Sequence, residues 1–200
     1  MHILFSRHAA ALIAAPAFVL AACDTAPSSP PKRGAEVAPH ASELAVSEVR
    51  WPGADTVDAR VVGALPEEAA ARVRGSRVPV LLPPRAGWLS TVTVVTKPLW
   101  TTASMKAEGA TIVVTASRAA RRVEGVGPAE GNRAMRGARG FVTQNEGIWS
   151  ASWSENGVAY SVEVECDAPS AEACASDALV MAVTEELAFA GGEGAKEGAR

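Results

Sequence analysis

Histidine, aromatic residues and long uncharged runs are all scarce in this chain, and each shortage narrows what it can do. Of three histidines in 200 residues, His2 and His8 stand near the amino terminus, leaving His40 alone beyond them. A histidine-based nucleophile triad or a multi-histidine zinc site needs more imidazoles than that. Neither Lys97 nor Lys106 follows a serine at SxxK spacing, so serine–lysine chemistry has no motif there. Gly125-Val126-Gly127 with Gly131 has its third glycine one residue late for a dinucleotide loop. Pro128 interrupts any helix start, and no Gly-Lys-Ser/Thr follows. With 19 Lys and Arg against 22 Asp and Glu, the net charge of −3 gives no bulk attraction to nucleic acid. The expectation is a domain without metal or cofactor that is not an enzyme.

The uncharged run Ala9–Ala22 spans fourteen residues, short of the roughly 20 a membrane-spanning helix needs. Following Arg7, it suits a secretory signal. Its end, Leu20-Ala21-Ala22-Cys23, resembles the lipobox of bacterial lipoproteins. The resemblance covers residues 1–23. It implies cleavage before Cys23, a diacylglyceryl group on the Cys23 thiol, and an anchor made permanent by ~0.8 kcal/mol per buried methylene. The mature chain would then sit in the cell envelope, facing the periplasm or the exterior. Asp24 resembles the residue that retains lipoproteins in the inner membrane. Loss of Arg7 with the signal would leave 18 basic against 22 acidic residues.

Residues 23–42 hold Pro27, Pro30, Pro31 and Pro39 among Ser, Ala and Gly, a composition that reads as a tether. Residues 43–190 form one globular domain by length, and 191–200, beginning Gly191-Gly192-Glu193-Gly194, read as a flexible tail. Within the domain, Glu67 to Arg74 suits a short helix after Pro66. Val78 to Leu82, with Pro79 inside it, suits an edge-like extended segment. Ser90–Thr96, Leu99–Met105 and Thr111–Ser117 are rich in Val, Ile and Thr and read as strands. Phe141–Thr143, a strand holding Trp149, Ala151 and Trp153, and a strand from Val158 to Cys166 complete the set. In the last, Val158, Tyr160, Val162, Val164 and Cys166 alternate with polar neighbours across an Asn156-Gly157 turn. After Pro169 the period changes: a helix capped by Ser170, with Leu179, Val180, Val183 and Leu187 inward and Thr184, Glu185 and Glu186 outward, ends at Gly191. The fold class is α+β, an antiparallel meander of about five to six strands with the C-terminal helix packed on one face.

Candidate functional residues follow from this frame. Cys166 and Cys174 remain as an even pair in an oxidising compartment; seven residues intervene, which is not a CxxC spacing, so they read as a structural disulfide. Arg118, Arg121, Arg122, Arg133, Arg136 and Arg139 face only Glu124 and Glu130 between positions 118 and 139, a basic cluster for lipid headgroups or an acidic partner. The competing reading is a solvated loop whose arginines pair with acidic strand faces. Trp149 and Trp153 share a strand face and offer an aromatic surface or core packing. Glu163 and Glu165 project from one strand face, as an acid–base pair would. The function expected is that of an anchored, non-enzymatic binding domain, its partners the membrane and another envelope protein. A carrier of an apolar ligand between sheet and helix is the alternative, with a histidine-free enzyme behind it.

Overall fold

A computed structural model describes residues 42–125, 127, 129–168 and 170–195. The signal, Cys23, Asp24 and His40 lie outside the described residues, as do 196–200 of the tail. In chain order the elements are β1 (Ser42–Val46), α1 (Ala59–Ala64), α2 (Glu67–Arg74), β2 (Val80–Leu82), α3 (Ala86–Leu89), β3 (Thr93–Lys97), β4 (Trp100–Ala107) and β5 (Ala110–Ser117). There follow β6 (Ala119–Val123), β7 (Arg133–Met135), β8 (Ala138–Asn145), β9 (Ile148–Glu155), β10 (Val158–Cys166), α4 (Ala178–Glu186) and β11 (Ala188–Gly191).

Seven strands form one sheet in the order β3-β4-β5-β10-β9-β8-β7. The sheet is antiparallel throughout but is not a single meander: two runs of neighbours, β3–β5 and β7–β10, join where β10 pairs with β5, Val162 opposite Val114. The alternation read for β10 holds along its length, with Val158, Tyr160, Val162, Val164 and Cys166 all buried. Its hairpin turns at Asn156-Gly157, both with positive φ (56° and 77°), as a two-residue turn requires.

One face of this sheet is covered. α4 packs on β9 and β10, α3 on β4 and α2 on β3, and β2 pairs with β11 in a small antiparallel sheet over β5. Ile112, Val162, Val164, Leu82, Leu89, Val180 and Val183 have no accessible surface at all. A water-sized void beside them would give them some, so the layer between β10 and α4 is filled. The other face carries Thr102, Ser104, Thr111, Thr115, Ser152, Ser161, Glu163 and Glu165, none of them buried.

Several expectations change. β2 is an edge strand, since its sheet has only β11 beside it, but it is wholly buried because that small sheet packs over β5. α4 begins at Ala178, behind a single helical turn at Glu172–Cys174, and Ser170 does not cap it. It ends at Glu186 rather than Gly191, because Ala188–Gly191 leaves the helix to form β11. Thr184 faces inward, its hydroxyl donating to the Val180 carbonyl at 2.7 Å, which satisfies the one polar group that burial would penalise. Gly191 and Gly192 are buried against the domain, so the expected tail does not start there. α1 is short and rich in β-branched residues; the Asp58 carboxylate starts it by accepting from Arg60 N (2.9 Å) and Val61 N (3.4 Å). The Arg60 side chain, hydrogen-bonded to the same carboxylate, holds its pKa down to about 2.

Candidate functional site

The arginine cluster divides into two sets. Arg133 pairs with Asp177 just before α4. Arg139 donates from Nε to the Gly131 carbonyl at 3.0 Å. Arg136, in the β7–β8 turn with a side chain 15% exposed, donates to Glu155 (2.9 Å) and to the Leu187 carbonyl (2.8 Å). Its guanidinium lies 5.8 Å from the Trp153 ring centre, and Trp153 Nε1 donates to the same Glu155 carboxylate at 3.1 Å. Arg133 and Arg136 join the sheet edge to α4 and its surroundings, while Arg139 is held to the loop ahead of β7; the Arg136–Glu155 pair uses a strand carboxylate, as the competing reading expects.

Arg118, Arg121 and Arg122 belong to a different structure. β6 pairs with β1 in a two-stranded antiparallel ribbon outside the main sheet, with Ser42 opposite Val123, Leu44 opposite Arg121 and Val46 opposite Ala119. Residues directly opposite share a face. Leu44 (60%), Val46 (49%) and Val123 (37%) therefore make an exposed apolar row with Arg121 beside it. In the backbone register Glu43 pairs with Arg122. Arg118 secures the ribbon's base: its carbonyl accepts from Ser47 N at 2.8 Å and its Nε donates to Ser47 O at 3.2 Å. Among the described residues neither Arg118 nor Arg121 takes part in an ion pair.

The remaining candidates are separate from the ribbon. Trp153 is buried and stacks on Tyr160, ring centres 5.4 Å apart. Trp149 is half-buried, its Nε1 donating to the Cys174 carbonyl at 2.9 Å. The pair is thus core and not an aromatic binding face. Cys166 and Cys174 stand at disulfide-bonding distance, Cα atoms 6.3 Å apart, and tie the end of β10 to the turn before α4. Glu163 and Glu165 are exposed on the uncovered sheet face, Glu163 between Val113 and Ser150 and Glu165 opposite Thr111. Nothing there supplies the apolar enclosure that sets one carboxyl of a catalytic pair apart from the other. No family model, curated protein or solved structure matches this chain. Among the described residues, no helix is long and apolar enough to cross a membrane.

Two features escaped the sequence reading. The apolar row of the ribbon comes from residues of the domain given no element of their own, Leu44 and Val46 just past the tether and Val123 within the basic cluster, and the i, i+2 spacing of Leu44 and Val46 is its one local signal. Trp51 is the other. Its indole lies against Gly192 and Gly194, where an added Cβ would overlap the ring. The spacing of those glycines was the available clue.

Proposed function

We propose that this chain is a membrane-anchored envelope lipoprotein, lipidated at Cys23, whose domain binds a second envelope protein rather than catalysing a reaction. The observation that carries this reading is the β1–β6 ribbon. Its apolar row of Leu44, Val46 and Val123 lies open beside Arg121, starting twenty-one positions beyond Cys23. A monomer with no partner has little reason to keep such a row uncovered. The filled layer between β10 and α4 favours binding at the surface over carriage of an apolar ligand inside.

The test uses the full chain in cells with an envelope. Mass spectrometry of the mature protein is expected to show a diacylglyceryl-modified Cys23 at the amino terminus. Cys23→Ser is expected to move the protein from the membrane pellet to the soluble fraction. A photo-crosslinking residue at Leu44 is expected to give one discrete adduct that the same residue at Glu146, exposed in the β8–β9 turn at the other end of the strands, does not. A mature protein without lipid would remove the anchor from this reading, and identical adducts from both positions would remove the ribbon.

A further inference from the structure

Gly191-Gly192-Glu193-Gly194 builds part of a cleft. Gly191 and Gly192 adopt φ of 131° and 154°, a region that favours glycine. The Trp51 ring lies on this track because no Cβ stands in its way at Gly192 or Gly194. Beside the ring opens a cleft of about 250 Å³ lined by Trp51, Arg77, Arg118, Glu193 and Gly194. These residues come from four separate stretches of chain: the segment after β1, the turn between α2 and β2, the β5–β6 junction and the segment after β11.

The walls are fastened to the core. Glu193 N donates to the Ser76 carbonyl at 2.8 Å. Ser76 is buried, with its hydroxyl 2.7 Å from Thr101 Oγ1 and donating to the Val78 carbonyl at 2.8 Å. Arg118 is held through its own N–H to Leu99 O (2.9 Å) and through Nε to Ser47 O (3.2 Å). Among the described residues its two terminal nitrogens have no hydrogen-bond partner. Arg77 and Glu193 face each other at 3.7 Å, both more than half exposed. Such a pair gains little from being closed and opens readily to a ligand.

The chemistry of this lining is specific: a guanidinium fork with free donors, a second guanidinium, one carboxylate and an indole. The fork matches a carboxylate, Glu193 matches a protonated amine, and the indole offers an apolar face between them. The volume is below the roughly 300–1,000 Å³ of sites for drug-sized molecules, so the ligand is small. We propose that this cleft binds a short zwitterionic peptide, a dipeptide in size, with its carboxylate on Arg118 and Arg77 and its ammonium on Glu193. The site does not depend on lipidation or on the ribbon's partner.

The test is a nuclear magnetic resonance titration of the full chain, following the Trp51 indole N–H, assigned by its loss in Trp51→Phe. The probes are alanyl-alanine, N-acetyl-alanyl-alanine and alanyl-alanine amide. Alanyl-alanine is expected to give a saturable shift, and each capped form to bind about tenfold more weakly for its lost charged contact. Glu193→Gln is expected to erase the preference for the free amine while keeping that for the free carboxylate. Arg118→Lys keeps the charge but not the fork and is expected to weaken alanyl-alanine by a similar factor. Should Arg118→Lys not fold, the exposed Glu193→Gln carries the test alone. No saturable shift, or equal binding of all three probes, would overturn the proposal.

Discussion

Tyr160, the sole tyrosine, sits on the covered face of the sheet. Its hydroxyl donates to the Pro79 carbonyl at 3.0 Å. Burial raises its pKa above the ordinary tyrosine range, the Glu155 charge adds to this, and Arg136 opposes it in part. The folded state therefore keeps the proton where the unfolded chain gives it up near pH ~10. This contribution to stability is complete below that pH and is lost as pH rises beyond it. An alkaline absorbance titration is expected to show no phenolate through the ordinary tyrosine range. The phenolate should then appear together with loss of the near-ultraviolet dichroism of the packed rings. Phenolate forming at the ordinary pH with that dichroism intact would contradict the buried hydroxyl.

Between elements, Arg136 has the widest reach, joining the β7–β8 turn to Glu155 at the end of β9 and to the Leu187 carbonyl beyond α4. Arg136→Ala would leave the Glu155 carboxylate with its Trp153 hydrogen bond but no counter-charge, and open a gap over Trp153. Urea unfolding should show a loss of roughly 2–3 kcal/mol, as for removing one partner of a mostly buried pair. Glu155→Gln, which keeps a hydrogen-bonding side chain in place, should cost less, and equal effects would argue against the charge. The sequence displayed Arg136 as a charge and could not display its partners, which lie 19 and 51 positions away. The same divide separates the legible elements from the rest. β10 and α2 carry local signals, a period of two in one and an acidic start with a basic end in the other. β6 reads Ala-Ala-Arg-Arg-Val, with no period, and becomes a strand by pairing with β1, which lies far earlier in the chain. β11 reads as two more helical residues after α4, until β2, a hundred positions earlier, supplies its hydrogen bonds. Of the candidate residues, the cysteine pair was legible because few residues separate it. The Trp51 cleft was not, because four distant stretches build it.

Across the whole domain, the central pairing of β5 with β10 unites two groups of strands through residues 42 to 56 positions apart in sequence, which favours slow folding through non-local contacts. The Cys166–Cys174 link acts locally on that assembly, closing a loop eight residues long between the sheet and α4. Chain entropy predicts that reduction costs about 2.5 kcal/mol. Trp149 reports on it directly, since its Nε1 donates to the Cys174 carbonyl. Reductant is expected to lower the urea midpoint followed by tryptophan emission, and the oxidised protein to weigh two hydrogens less than the reduced one. An unchanged midpoint would show that the pair does not restrain the fold.

The ribbon also decides how the domain meets mechanical load. A pull on the chain ahead of Ser42, directed away from β6, enters at the Ser42–Val123 end of β1 and opens the ribbon one pair at a time, like a zip, rather than shearing its hydrogen bonds together. Five residues peel away, releasing about 3.3 Å each, before tension reaches Ser47, Arg50 and their bonds to Arg118 and Asn156. The ribbon is a fuse: it yields first and lengthens the connection, which caps the force passed on to the seven-stranded sheet behind it.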